Sequence, residues 1–312
     1  MEIDSAIVIF GYNRPNLIED RLKEIQSSNF ENLDLRIFID GPKDENSLQS
    51  FEIIKEILTK ESKNLNFKVT YRAKNLGAAE NIVNGISEIL QEKSSVIVFE
   101  DDIGISSSAV LNMDSLLKKL DTEKYATVGV FGFFPYTRFM NKIGIPNFFR
   151  STPYFSAWGW GIRKEVWKDY RLDISKLERK SELEKSYIFR SLSKHKQKQW
   201  LRRFDRISTN VYWAWDFQMQ YMSFVTNRNH LLPFFRMVDN FGFNDLRGTN
   251  TKGRRPKWYL MPHANLEKYS DMRRIRVYNN WLFKRLDSLT FIGDSPINRK
   301  NIKKILFKIL GT

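Results

Sequence analysis

The chain of 312 residues contains no cysteine. Disulfides and zinc–thiolate sites are thereby excluded, and the absence favours a reducing compartment. It also lacks any apolar run of ~18 residues, the length a helix needs to cross a hydrocarbon core, so no membrane span is expected. The opening stretch, MEIDSAIVIFGYNRP, carries an acidic rather than a basic lead, and its apolar run is too short for a signal peptide. The expectation is a cytoplasmic protein. What is present is 42% hydrophobic and 14% aromatic residues. That supports a sizeable core, in one large domain with an appendage or in two small domains.

Charge is uneven. The formal net charge is +15, and residues 273–312, with ten Lys/Arg and two Asp, carry +8 of it. Such a tail suits an anionic partner, either nucleic acid or an anionic bilayer. Its last segment, SPINRKNIKKILFKIL, reads as an amphipathic helix. Ser295 can cap it, Pro296 can take the first position, and Ile302, Ile305, Leu306 and Ile309 form one stripe. A helix packed on the body with solvated lysines is the alternative.

The first half alternates strands and helices. AIVIF, LRIFID, FKVTYR and SVIVF read as strands. The stretches from Pro15, from Ser47 and from Ala78 read as helices with apolar residues at helical spacing. This rhythm predicts an α/β fold with a mainly parallel sheet. TVGVFGFF adds a further strand, residues 175–203 read as a charged helical stretch, and a helix is expected over about 272–289. The expected division is residues 1–255 as one domain, with a ligand-binding half over 1–120 and a second half over 121–255, followed by a basic helical extension over 256–312.

Open parallel sheets bind ligands at the carboxyl ends of their strands. Here those ends read GYNRP, DGP, RAKNLGAAEN and EDD. The most unusual is VIVFEDDIGIS. An apolar strand emits Glu100, Asp101 and Asp102 with no basic residue beside them, and uncompensated like charges repel. A divalent cation bridging a diphosphate would supply the missing charge, since hard carboxylate oxygens suit Mg²⁺ or Mn²⁺. A solvated turn with a helix cap is the plainer account of a DD pair, and an ordinary turn that of Asp40-Gly41-Pro42. Gly77 in NLGAAEN belongs to no full phosphate-loop pattern. Asp216, in YWAWDFQMQ, is a candidate general base because aromatic neighbours raise a carboxylate's basicity, although a helix-start Asp is the plainer reading. SAWGWGIRKEVW suits stacking on a sugar ring or simple aromatic packing.

In order, AIVIFGYNRPNLIEDRLKEI, IFIDGP, RAKNLGAAENIVNGI, VIVFEDDIGIS, SAWGWGIRKEVW and WAWDFQ resemble nucleotide-sugar-dependent glycosyltransferases of the GT-A fold. The resemblance covers about residues 5–250. It is nearest to bacterial polysaccharide glycosyltransferases of the family-2 type, with elements similar to the N-acetylglucosaminyltransferase I type. It implies a UDP-type donor, a Mn²⁺ or Mg²⁺ cofactor, and transfer of a hexosyl or N-acetylhexosaminyl group with inversion. The acceptor it implies is a glycan or polyprenyl-linked glycan, with no nucleic-acid partner. Such enzymes often work at the inner face of the cell membrane, and the basic C-terminal helix would meet an anionic membrane surface there.

Residue by residue, the resemblance implies that Tyr12, Asn13 and Arg14 line the nucleotide pocket, with Arg14 or Arg72 near the diphosphate. Asp40 would contact the base, and Asn75 and Gly77 would shape the donor pocket. Asp102 would bind the metal, with Glu100 and Asp101 on ribose, donor sugar or metal waters. Trp158, Gly159, Trp160 and Gly161 would form the acceptor-side wall, and Asp216 would deprotonate the acceptor hydroxyl. Many relatives carry a His after the region corresponding to NFGF; here none follows until His263, and Arg247, Arg254 or Arg255 would hold the diphosphate instead. Two other classes remain open: a sugar nucleotidyltransferase, against which the Gly-poor GYNRP counts, and a basic nucleic-acid-binding protein, against which the carboxylates at the ligand edge count.

Overall fold

A computed structural model describes residues 3–28, 30–132, 148–175, 178–210, 214–233 and 236–243, together with the backbone of 276–278. The first half follows the expected alternation. Strand β1 (Ala6–Gly11) leads into α1 (Pro15–Ser27), β2 (Leu35–Ile39) into α2 (Glu45–Glu61), and β3 (Lys68–Tyr71) into α3 (Gly77–Glu92) before β4 (Ser95–Glu100). These three helices form for local reasons. Pro15 sits in the first turn of α1, where its missing N–H costs nothing. Asp44 and Ser47 make a reciprocal capping box on α2. On α3 the buried residues Ile82, Ile86, Ile89 and Leu90 share one face.

The second half is less regular. It comprises α4 (Ser107–Lys118), β5 (Tyr125–Gly129), β6 (Phe148–Thr152), β7 (Trp160–Arg163), α5 (Lys164–Trp167), α6 (Arg179–Lys185), α7 (Tyr187–Ser191), α8 (Lys194–Ser208), α9 (Asp216–Val225), β8 (Asn229–Pro233) and β9 (Arg276–Tyr278). The sequence reading missed α4, β6, β7 and β8. The charged stretch read as helical holds three helices, because Ser186 and Ser193 each start a new one by accepting a backbone N–H.

The nine strands among the described residues join one sheet in the order β3-β2-β1-β4-β7-β5-β8-β6-β9. β1 pairs parallel with β2 and β4, and β2 parallel with β3. β7 runs antiparallel between β4 and β5, and β8 pairs parallel with β5. The mixed, mainly parallel α/β sheet flanked by helices is thus as expected. The helix expected over 272–289 is not: Arg276–Tyr278 pair parallel with β6 as a strand. The rest of that segment, and the amphipathic stretch after Ser295, lie outside the described residues, so the extension over 256–312 is not described as a unit.

Apolar residues fill both faces of the sheet. One layer packs Ile7, Ile9, Ile37 and Phe99 against α1, α2 and α4. The other packs Val8, Val96, Val98 and Trp160 against α3, Trp215 and Met219. A third cluster, with Trp200, Phe204, Tyr221 and Phe224, ties α6 to α9 together. Each such side chain contributes about 1.5–3 kcal/mol on burial, so the sheet is a rigid base for whatever stands on its edge.

Candidate active site

The carboxyl ends of the parallel strands do meet. Arg72 N–H donates to the Ile39 carbonyl, Asp40 N–H to Gly11, and Asp101 N–H to Phe10, all at 2.9 Å. These bonds extend the ladders one residue past β3, β2 and β4, and set Arg72, Asp40, the GYNRP turn and the EDD loop side by side.

Their side chains do not all face a ligand. The Asp40 carboxylate is filled. Oδ1 accepts from the N–H groups of Gly41 (2.9 Å) and Leu76 (2.8 Å), and Oδ2 from Gly77 N–H (2.9 Å) and Asn75 Nδ2 (3.1 Å). Asn75 also donates to the Gly41 carbonyl at 2.9 Å. Asp40 is therefore the anion at the start of α3, and an incoming base would have to share lone pairs already in use. Burial pushes its pKa up while those N–H groups pull it down. Gly77 has φ +78°, a conformation that favours glycine, and a side chain there would meet open space, so the backbone angle rather than crowding explains it.

Arg72 also turns away from the expected role. Nε donates to Asn81 Oδ1 at 3.1 Å, Nη1 pairs with Glu88 at 2.9 Å, and the guanidinium lies over the Phe38 ring, 5.0 Å from its centroid. It braces β3 against α3.

The charge that the EDD loop seemed to lack comes from Arg14, 87 residues away in sequence. Its Nε donates to Asp101 Oδ2 at 3.1 Å, its Nη2 pairs with Asp101 Oδ1, and its Nη1 meets Asp102 Oδ2 at 3.0 Å. Arg14 holds the acidic loop rather than standing free beside a phosphate. Pairing with two carboxylates raises its already high pKa despite burial. Burial pushes Asp101 up to about 6 against the pull of Arg14. The Glu100 side chain makes no hydrogen bond or ion pair among the described residues, and burial, with Asp102 and Asp101 beside it, pushes it up to about 8. Tyr12 and Asn13 are half-buried at the adjoining end of β1.

Two features that the sequence reading missed fix this loop. Arg21, fully buried on α1, donates to the Asp101 carbonyl at 3.3 Å, pairs with Glu24 at 2.8 Å, and lies 4.6 Å from the Phe241 ring centroid. Glu24 in turn accepts Ile105 N–H at 2.7 Å. On the other side, residues 236–243 strap the loop. Phe241 N–H donates to the Asp102 carbonyl at 2.7 Å, Gly104 N–H to Asp239 at 2.8 Å, and Ile103 and Asn240 form an antiparallel bridge. A buried Arg with a Glu three residues on, facing the core side of an amphipathic helix, was the available signal.

The acceptor-side expectation divides. Trp160 and Gly161 lie in β7, paired with Val98 and Ile97 of β4, and Trp160 is fully buried. Both lie buried in the sheet, unlike Trp158 beside them. Gly159, at φ +74°, turns the chain between them and Trp158. Trp158 is half-exposed, with Phe131 and Phe243 edge-on at 5.0 and 5.6 Å between ring centroids.

Asp216 opens α9, and its Oδ1 accepts the Phe217 N–H at 3.0 Å. Trp215 stacks on Trp160 at 5.3 Å, and its carbonyl accepts from Tyr170 Oη at 3.1 Å. Because Trp160 pairs with Val98, this stack brings Asp216 to the β4 end, where its charge bears on Glu100. Burial pushes the Asp216 pKa up, offset by its backbone bonds and by Arg203. Arg247, Arg254 and Arg255 lie outside the described residues.

A divalent cation fits this donor set through one side chain. Among the described residues, no group of three or more His, Cys, Asp or Glu is arranged to hold a metal. Both Asp101 oxygens are taken by Arg14, whereas Asp102 Oδ1 carries no hydrogen bond or ion pair among them. One carboxylate, with waters and substrate phosphates completing the shell, is a common arrangement for Mg²⁺. No described helix is long and apolar enough to cross a membrane.

No family profile matches the chain, and no curated protein does. Among solved structures it is similar to a mannosyltransferase, PcManGT from Pyrobaculum calidifontis, in complex with GDP-Man and Mn²⁺ (12% identity, TM-score 0.39, 59% of this chain and 52% of that one). It is also similar to GalNAc-T7 with UDP, GalNAc and Mn²⁺ (9%, TM-score 0.43, 74% and 43%), and to TarS of S. aureus (16%, TM-score 0.36, 53% and 29%). The matched part spans about half or less of each of those chains.

Proposed function

We propose that the chain is a metal-dependent GT-A glycosyltransferase that moves a sugar from a nucleoside-diphosphate donor, of the UDP type, to a hydroxyl of a glycan or lipid-linked glycan. The observation that carries this reading is the gathering of Glu100, Asp101 and Asp102 at the end of β4, with Asp216 at the start of α9 close enough for its charge to bear on Glu100. In this reading Asp102 would hold Mn²⁺ or Mg²⁺. The ion, when bound, neutralises the leaving diphosphate. Tyr12 and Asn13 flank the nucleotide, and Glu100 bonds a donor hydroxyl. Asp216 takes the acceptor proton on the oxygen not committed to Phe217, its basicity raised by burial, and the sugar transfers with inversion. Trp158 offers its exposed edge to the acceptor.

The test is a thermal-shift screen of nucleotide sugars with and without Mn²⁺. A ligand that binds only the folded chain raises its melting temperature. The expected result is a shift with one nucleotide sugar that needs Mn²⁺. No shift with any nucleotide sugar, or pyrophosphate release from a nucleoside triphosphate, would overturn the reading.

A further inference from the structure

Three carboxylates crowd the β4 end, and the cation already seated among them is Arg14. The geometry points to a site that takes its divalent cation together with a diphosphate, because Arg14, paired with one oxygen of Asp102, opposes a cation at the other until an anion draws the guanidinium away. This rests on reading Asp102 as the metal ligand.

Four observations carry it. First, Arg14 spends three nitrogens on Asp101 and Asp102, so its charge is directed at the carboxylate that a metal would use. Second, that charge is permanent, since a guanidinium does not deprotonate in this setting, and only movement can remove it. A dication on the far oxygen of Asp102 would lie a few ångströms from it, in surroundings that screen less than water. Third, the other arginines nearby are committed elsewhere. Arg21 is balanced by Glu24 and held by the Asp101 carbonyl, and Arg72 is held by Asn81 and Glu88. Fourth, the α3 N-terminus, the other natural phosphate seat on this edge, is filled by Asp40. Among the described arginines of this edge, Arg14 is thus the one whose partners are the acidic loop itself, and guanidinium groups bind phosphate oxygens bidentately. Moving Arg14 from Asp102 to the phosphates opens the carboxylate to the metal at the moment the anion arrives. By linkage, the anion must then strengthen metal binding by the factor by which the metal strengthens anion binding.

The experiment measures Mn²⁺ affinity by electron paramagnetic resonance, with Mn²⁺ alone, in the wild-type chain and in Arg14→Gln. Removing the competing charge is expected to tighten Mn²⁺ binding on the order of tenfold or more, and Arg14→Lys, which keeps the charge, is expected to stay near wild type. Equal or weaker binding by Arg14→Gln would overturn the inference. Should Arg14→Gln fail to fold, the wild-type chain gives a second reading through its ¹⁵N-labelled arginine Nε–H resonances, with that of Arg14 identified by its loss in Arg14→Lys. Mg²⁺ alone is expected to leave that signal in place, and Mg²⁺ with inorganic pyrophosphate to move it. A signal moved by Mg²⁺ alone, or unmoved by the pair, would refute the exchange. Neither measurement uses a nucleotide sugar. A chain that behaves this way yet binds no nucleotide sugar would sink the proposed function and leave the role of Arg14 standing, and the converse result would do the opposite.

Discussion

Asp40 Oδ2 lies 2.9 Å from Gly77 N, so a carboxylate at the end of β2 anchors the helix that starts beyond β3. With Leu76, Gly41 and Asn75 on the same group, the bond ties two sheet crossovers together. Asp40→Ala is expected to lower stability by about 1–3 kcal/mol, since it leaves one buried and three part-buried donors without their acceptor. Asp40→Asn should rescue little, because its amide would face donors. Urea midpoints at constant slope measure this. Unchanged stability would show that the carboxylate is not structural.

Asp216→Asn should fold normally, because the amide oxygen can still accept from Phe217 N–H. Transfer to the true acceptor is expected to fall by about 10²–10⁴, with donor affinity unchanged in a binding titration. Because burial raises the Asp216 pKa, the acid limb of kcat/KM should lie above the ordinary carboxylate range. Full activity in Asp216→Asn would dismiss it as the base.

Glu100 gives a pH dependence with a definite sign. Its folded pKa, about 8, lies above its ordinary 4.5. Between those values the folded chain binds more protons than the unfolded one, so this group makes stability fall as pH rises through the window. Glu100→Gln should match wild type below about pH 4.5 and exceed it above pH 8, by on the order of 1–3 kcal/mol. Melting curves of the two proteins across pH 4–9 should diverge toward alkaline pH, and parallel curves would mean that Glu100 is solvated.

Gly159→Ala tests the turn that separates half-exposed Trp158 from buried Trp160. With φ +74° and a new Cβ 2.6 Å from Val130 Cγ2, both backbone and packing object. A loss of about 1–3 kcal/mol is expected, read by chemical denaturation, with a change in tryptophan emission as Trp158 shifts.

The sheet from β1 to β4 was legible because each strand and helix has its own apolar period and its own start signal, as Pro15 and Asp44 show. The alignment of their carboxyl ends followed from parallel pairing. What sequence could not reveal was the partner of each charge. Asp40 and Gly77 read as ligand contacts, and in the structure they bind one another; Arg14 read as a phosphate contact, and in the structure its partners are Asp101 and Asp102. Such pairings depend on side-chain direction at a sheet edge, and no periodicity encodes that. β7 was missed as a strand for a similar reason: WGIR carries no alternation, and its place is set by Trp160 packing on Trp215. The resemblance put Trp160 in an acceptor-side wall with Trp158, and the strand that begins at Trp160 carries it into the sheet.

The strap across the EDD loop has a consequence for the order of events in time. β1 to β4 can pair once about a third of the chain exists, but the Asp102 carbonyl waits for Phe241 N–H, and Gly104 N–H for the Asp239 carbonyl. Contacts so distant in sequence form late, after closure of a long loop. A nascent chain would therefore own a sheet well before it owned a shaped acidic loop, and chemistry could begin only when residues 236–243 had arrived.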